Sequence, residues 1–462
     1  MENVLEYLSK NKERFVGELS EFISIPSVSA LPEHFGDIKK ASEWLKERMT
    51  LAGVENSEIM ETGGHPSVYG DWLHAGPDKP TILVYGHFDV QPIDPIELWE
   101  DDPFSGLVKG DRIFGRGASD DKGSMLIPII SFEAILKSEG KFPVNIKFLF
   151  EGQEEVASPD MPKFVFENKE KLSCDMIFSA DGGQFSETEP NLVVGLKGIL
   201  GLEIKVTGPK SDKHSGMHGN AIENPIMALS KIISSMKDED GRISISGYYD
   251  DVIELSNSDR EEISKVPFDE SKYIHDMGVK EVSGEKSYTT MERMGARPSF
   301  DLNGIWGGFQ GEGTKTVLPS EATAKITCRL VSNQKPKKIF ELVKTHVFSN
   351  LPKGVTAEVI SLQDEGEPFQ VPDEHLSTEM ARDVLKEIYN KDPYIIRIGG
   401  SIPILSAFLK HLGVHGTMFA FGLDDENIHA PNEFFRISSF VKGQEGYCRL
   451  FYRLGTVKNG EK

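Results

Sequence analysis

The chain has 462 residues, 38% of them hydrophobic and 27% charged, a composition ordinary for a globular protein and a length that suits two or three domains. With 73 acidic against 51 basic side chains the formal charge is −22, which argues against nucleic acid and anionic membranes as partners, because both are held by clustered Lys and Arg. No window approaches 18 uninterrupted apolar residues, so no membrane-spanning helix is expected.

The stretch MENVLEYLSKNKERF opens the chain as a charged, amphipathic segment without the apolar centre of a signal peptide. The three cysteines, Cys174, Cys328 and Cys448, are scattered without CxxC spacing and read as buried thiols of a reducing compartment, so the cytoplasm is the expected location. Apolar residues recur at helical spacing over 2–25 and over 37–53, the second run ending at Gly53. Strand signals follow at TILVYG (81–86), VNIKFLFEG (144–152) and CDMIFSADGG (174–183), with a helical run at 124–140 between the first two. Strand, helix, strand at this spacing predicts βαβ units around a mostly parallel sheet, whose ligands gather at the carboxyl ends of the strands. Near residue 197 the character changes. An alternating strand (198–209), a helix (224–237), a polar irregular stretch (about 237–295), two strands (299–308 and 322–331), a helix (336–348) and a strand (354–363) give a β-α-β-β-α-β order. After the Pro- and acid-rich connector 364–374, a helix (374–390) and the strand GTMFAFG (416–422) resume the first style. The expectation is an α/β domain, 1–196 and 371–462, interrupted by an inserted α+β, ferredoxin-like domain, 197–370.

The chemistry collects where these strands end. In VYGHFDVQP (84–92), His87 and Asp89 are two apart and leave a strand on one face. Either the carboxylate orients a metal-ligating imidazole, or the pair is a capped strand end with a surface Asp. GRGASDDKG (115–123), EGQEE (151–155), SADGG (179–183) and NIHAPNE (427–433) each have an ordinary reading as well: an acidic helix start at Asp120-Asp121, solvated loop charge at Glu154-Glu155, a turn at Asp181, a loop histidine at His429. Taken together they point elsewhere. Carboxylates brought to one strand-end edge repel and desolvate one another unless a cation neutralises them. Mixed imidazole and carboxylate ligation suits Zn²⁺, with Mn²⁺ or Co²⁺ as alternatives. Two ions need about five protein ligands including one bridging carboxylate, a number this inventory supplies with a carboxylate to spare as proton carrier.

The order GHxDVxP, GRGxxDDKG, EGxEE, SADG, HSGxxGxxxxNP and a late histidine resembles the M20 family of co-catalytic zinc peptidases over nearly the whole chain. The nearest likeness is the dipeptidase branch that holds the carnosinases and cytosolic non-specific dipeptidases. The resemblance implies a zinc-peptidase-type catalytic domain with a lid and dimerisation insert, and metal-dependent hydrolysis of dipeptides or small peptides by a water bridging two zinc ions. It implies that His87 and Asp181 hold one ion, Glu155 and His429 the other, and that Asp120 bridges them, with a cis peptide to Asp121. Asp89 would orient His87, and Glu154 would be the general base that takes the water's proton. In the insert, His214 and Thr316 match residues lent across a homodimer, the histidine to the developing oxyanion. Arg329 and Ser401 match groups that hold the substrate's carboxylate end, alongside Asp181. His65 and His218 match nothing and read as structural.

Two rivals stand beside this reading. An N-acyl amino-acid deacylase or desuccinylase of the same family would use the same metal core. The long insert with RPSFDLNG and GEGTKTVLP favours the dipeptidase. A non-catalytic zinc- or peptide-binding protein would have no purpose for Glu154. GGFQGEGTKT approaches a phosphate-binding loop but lacks its Gly-Lys-Ser/Thr end, and no GxSxG elbow occurs. The segment 237–295 carries no residue-level assignment. The strand 198–208 and the helix 224–236 are expected to expose an apolar face that a second copy covers.

Overall fold

The computed structural model describes residues 1–372, 374–400 and 402–458, apart from the side chains of 363–365. In chain order the elements that matter below are helices α1 (Glu2–Lys10), α2 (Lys12–Ile23) and α3 (Phe35–Ala52), strands β1 (Glu55–Met60), β2 (Ser67–Trp72) and β3 (Thr81–His87), helix α4 (Ser124–Glu139), and strands β4 (Asn145–Glu151) and β5 (Met176–Ser179). Then come β6 (Gly198–Thr207), α5 (Pro225–Ser234), α6 (Asn257–Lys265), α7 (Glu270–Asp276), α8 (Thr290–Ala296), β7 (Ser299–Gly307), β8 (Glu321–Leu330), α9 (Pro336–Ser349) and β9 (Thr356–Gly366). The chain closes with α10 (Leu376–Tyr389), β10 (Gly416–Met418) and α11 (Ile437–Leu454). It forms two compact units: Met1–Val194 with Val371–Ile396 and Ile402–Lys462, and Gly195–Gln370 with Arg397–Ser401.

The first unit is built on a six-stranded sheet of order β1-β2-β4-β3-β5-β10. The strands β4, β3, β5 and β10 run parallel, and β1 and β2 extend the sheet antiparallel. Every residue of β2, β4 and β5 is buried, as expected of strands covered on both faces. Helix α4, which links the parallel pair β3 and β4, is buried from Ser124 to Ile135, so it is apolar all round rather than striped. It packs on α1, α3 and α11 around a core that includes Phe132, Phe142, Phe148 and Phe451, each burial stabilising by roughly 1.5–3 kcal/mol. Helix α3 stops at Gly53, whose φ of 100° is the left-handed cap that glycine adopts most readily. The N-terminal helical run is broken in two at Asn11, whose side-chain amide donates to the Tyr7 carbonyl.

The second unit holds an antiparallel sheet of order β7-β8-β6-β9, the strand order of a ferredoxin-like βαββαβ unit in which α5 and α9 are the two helices. Leu200, Leu202, Ile204 and Val206 of β6 interlock with Ala228, Leu229 and Ile232 of α5 and with Ile339 and Val343 of α9. Two expectations need correction here. The segment 237–295 is not irregular throughout, because it carries α6, α7 and α8, two of them begun by capping boxes at Ser256 and Thr289. Its low hydrophobicity hid helices that rest on capping and ion pairs more than on an apolar stripe. Most of the apolar face of β6 and α5 is not exposed either, since those side chains form the unit's own core, while Met227 of α5 stays 57% exposed. Exposed apolar residues include a group at the sheet edge, on and just after β7: Leu302, Ile305, Trp306 and Phe309, between 42% and 54% exposed. Among the described residues no helix is long and apolar enough to cross a membrane.

Candidate metal centre and active site

The parallel strands β3, β4 and β5 bring their carboxyl ends side by side, and each continues directly into a chemical group: His87 from β3, Glu154 and Glu155 after β4, Asp181 after β5. Asp120 arrives on the loop that starts α4. Gly86 lets that loop in, because a Cβ there would stand 2.8 Å from both Asp121 Oδ2 and Met125 Cβ. The Asp120–Asp121 peptide is cis, and Asp121 Oδ2 accepts the His87 N–H at 3.2 Å. His429 completes the group from the loop before α11, with φ of 60°, a left-handed conformation unusual for a branched-free but bulky side chain and held by its surroundings. Asn432 pins that loop by accepting from Glu100 N at 2.8 Å and donating to Leu98 O at 2.9 Å.

Asp120 is the centre. Its Oδ1 lies 3.0 Å from His87 Nε2, and its Oδ2 lies 2.9 Å from His429 Nε2. Two sets of metal-ligating atoms share it: His87, Asp120 and Asp181 in one, Asp120, Glu155 and His429 in the other, each set within 4.8 Å of one another. Glu155 Oε2 is 3.2 Å from His429 Nε2 and accepts from the Gln91 amide at 2.8 Å. Burial pushes the Asp181 carboxyl up to about 7 and raises Glu155 and Glu154, and the neighbouring carboxylates add to all three shifts. The His429 imidazole rises too, up to about 10, through its hydrogen bonds to Asp120 and Glu155. Burial alone would lower His87, but Asp120 and Asp89 outweigh it and raise the imidazole. Glu155 Oε1 and Asp121 Oδ1 are buried without a hydrogen-bond partner. So many converging carboxylates need positive charge between them, and mixed N/O donors in two sets sharing one carboxylate fit a pair of divalent cations.

Asp89 stands beside His87 and also reaches the turn after β4. The imidazole Nδ1 of His87 meets the Asp89 main-chain carbonyl at 3.0 Å and the Asp89 carboxylate only at 3.6 Å. That carboxylate also accepts the N–H groups of Glu154 and Glu155, at 3.1 and 3.0 Å, and so braces the turn that carries both. Gln91, one turn further along the same motif, escaped sequence reasoning because an uncharged amide gave no signal.

The remaining residues singled out in the sequence belong to the second unit. His214 and Thr316 are neighbours there: His214 pairs with Val317, and Ser215 N donates to Thr316 O at 3.0 Å. His214 is exposed, and its Nδ1 accepts the Gly216 N–H at 3.1 Å to cap a short helix. Arg329, half-buried on β8, stands opposite Ile199 and Ser299 in the sheet. Ser401 lies outside the described residues. His65 is structural, with Nε2 on the Ser29 carbonyl at 2.9 Å and its ring on the edge of Phe35.

Comparison with known proteins places this arrangement. Residues 83–453 match the model of peptidase family M20/M25/M40. The Cys-Gly metallodipeptidase dug1 of Schizosaccharomyces pombe is 30% identical over 474 residues, covering 99% of both chains, and the Beta-Ala-His dipeptidase of Mus musculus is 27% identical, covering 100% of this chain and 97% of that one. Among solved structures, the M20 family metallo-carboxypeptidase Sso-CP2 from Sulfolobus solfataricus superposes with a TM-score of 0.85 at 32% identity, covering 96% of this chain and 99% of that chain. The family match covers all five residues grouped around Asp120, and the full-length likeness extends through the second unit. The chain belongs to peptidase family M20/M25/M40.

Proposed function

We propose that the protein hydrolyses the peptide bond of dipeptides or other small peptides with two zinc ions. The observation that carries this reading is the single carboxylate of Asp120 presenting one oxygen to His87 and the other to His429. His87 and Asp181 would hold one ion and Glu155 and His429 the other, with Asp120 belonging to both sets. When bound, the metal pair supplies Lewis acidity and a water of lowered pKa. Glu154 belongs to neither ligand set and has its carboxyl raised by burial, which suits a group that takes a proton from water and passes it to the departing amine. Asp89 holds the Glu154–Glu155 turn in place. Arg329 and Ser401, by the family pattern, hold the substrate's carboxylate end, a task that suits a guanidinium. The relatives named as dipeptidases support a small peptide as substrate. Assayed on a panel of unmodified dipeptides and N-acyl amino acids, the protein turns over dipeptides with kcat/KM at least about tenfold higher, a margin of some 1.4 kcal/mol in transition-state binding. A preference for the N-acyl amino acids makes it a deacylase.

The second unit serves as lid and dimer contact in this reading, and the protein works as a cytoplasmic homodimer. Edge strand β7, with Leu302, Ile305 and Trp306 exposed, offers both unpaired backbone groups and apolar surface to a second copy. His214 and Thr316 then act in the neighbouring subunit's active site. Mixing His214→Ala with Glu154→Ala subunits gives mixed dimers in which one site carries both changes and the other neither. With free exchange, activity recovers to roughly a quarter of wild type, because half the dimers are mixed and each has one intact site of two. Mixtures no more active than either parent, with exchange proven, place His214 in its own chain's site or in none.

A further inference from the structure

The loop that presents Asp120 is held by more than its own main-chain hydrogen bonds, Ala118 N to Gly115 O and Lys122 N to Gly117 O. Residues 118–123 form a single irregular turn in which Asp120 departs from helical geometry, with φ of −117° and ψ of 92°. Three of the backbone N–H groups around it point to one side chain. Glu433 Oε2 accepts from Gly117 N at 3.0 Å, and its Oε1 accepts from Ser119 N at 3.0 Å and Asp120 N at 3.1 Å. Main-chain N–H groups converging in this way form an anion-binding concavity, here filled by a carboxylate of the chain itself. Glu433 is fully buried and its charge is matched by Arg116, whose Nη1 donates to Oε2 at 2.7 Å and whose Nε and Nη2 reach the Pro92 carbonyl. A second buried carboxylate repeats the device one step away: Glu426 Oε2 accepts from Ser119 Oγ at 2.6 Å and Leu423 N at 2.9 Å. Glu433 sits four residues after His429, so one carboxylate ties the loop of the second histidine to the loop of the shared aspartate.

We propose that Glu433 is the positioning residue of the bridging carboxylate. It fixes where Asp120 stands relative to His87 and His429, and through that sets the affinity for the metal pair. The inference rests on the two-metal reading above and assigns no chemistry to Glu433 itself. A merely structural salt bridge would stabilise the fold and leave metal affinity alone, and the two roles separate in measurement.

Glu433→Gln keeps the shape but turns one acceptor oxygen into a donor that faces other donors. Glu133→Gln is the control, because Glu133 is an equally buried carboxylate, paired with Arg14 and Arg48 and touching none of the ligand residues. Three quantities are read for each: thermal unfolding of the metal-free protein, zinc affinity by competition with a chelator, and kcat and KM on a dipeptide. Both variants lower the unfolding temperature. Only Glu433→Gln weakens zinc binding, by about 10–100-fold, the usual scale for groups that orient metal ligands, with kcat falling in step and KM within about threefold. In the metal-free variant the amides of Gly117, Ser119 and Asp120 also exchange hydrogen faster than in the wild type. Should the Gln variant not fold, Glu433→Asp keeps the charge with a shorter reach, and the same split is expected of it. Wild-type zinc affinity in the folded Glu433 variant, or equal weakening in Glu133→Gln, overturns the proposal. A wild-type chain that takes up no second zinc ion refutes the two-metal reading instead, which separates the two failures.

Discussion

Glu154→Gln lowers kcat on a dipeptide by about 10²–10⁴-fold while the metal content stays that of the wild type, the scale expected when a general base is lost. The argument is one of position. Glu154 follows β4 in a tight turn whose N–H groups are fixed by Asp89, at 3.1 Å for Glu154 and 3.0 Å for Glu155. Adjacent residues of such a turn send their side chains to different places, and only Glu155 joins a ligand set. The Glu154 carboxyl is left without a metal-holding role, yet it sits in the same carboxylate-rich pocket. Burial raises its pKa well above the ordinary carboxylate value, and although His87 opposes this, Asp181, Glu155 and Glu151 raise it further. A bound cation pair would bring it back down, to a level where it can accept a proton and give it up again. The isosteric amide keeps the packing and cannot carry that proton. Full activity in Glu154→Gln would show that another group deprotonates the water, and loss of metal would make Glu154 a ligand.

Much of this site was legible before any coordinates, for a physical reason. A parallel sheet puts its carboxyl-terminal strand ends in one place, so His87, Glu154, Glu155 and Asp181, each directly after a β-rich run, had to be neighbours once the βαβ order was read. Asp120 and His429 were legible only through the ordered motifs, because each lies on a loop whose path depends on long-range contacts. The path of the His429 loop runs through Asn432 to residues 98 and 100, more than three hundred positions away in sequence, and nothing local announces that. The bracing of the Glu154–Glu155 turn by Asp89 is not legible in the sequence, because it rests on hydrogen bonds to main-chain groups. Glu433 and Arg116 stood inside quoted motifs and went unread, since their importance lies in hydrogen bonds to main-chain groups, which carry no side-chain pattern. In the second unit the βαββαβ order is legible across the polar stretch 237–295 because the long strands β6 and β8 alternate over much of their length. The helices inside the interruption did not show, because capping boxes and pairs such as Arg260 with Glu292 and Arg397 with Asp259 replace an apolar stripe.

The central claim, that two metal ions held around Asp120 carry the reaction, is tested most directly by stripping and restoring the metal. Chelation and dialysis should abolish dipeptide hydrolysis while the protein stays folded, since the unit's apolar core is built from side chains that include none of the ligand residues. Zinc added back in known amounts should restore turnover along a curve that reaches its plateau only at two equivalents per chain, as expected where one carboxylate serves both ions. Asp120→Ala should take up neither ion with wild-type affinity, because it removes a ligand from both sets at once. Full turnover in the metal-free protein, or a plateau reached at a single equivalent, would contradict the account.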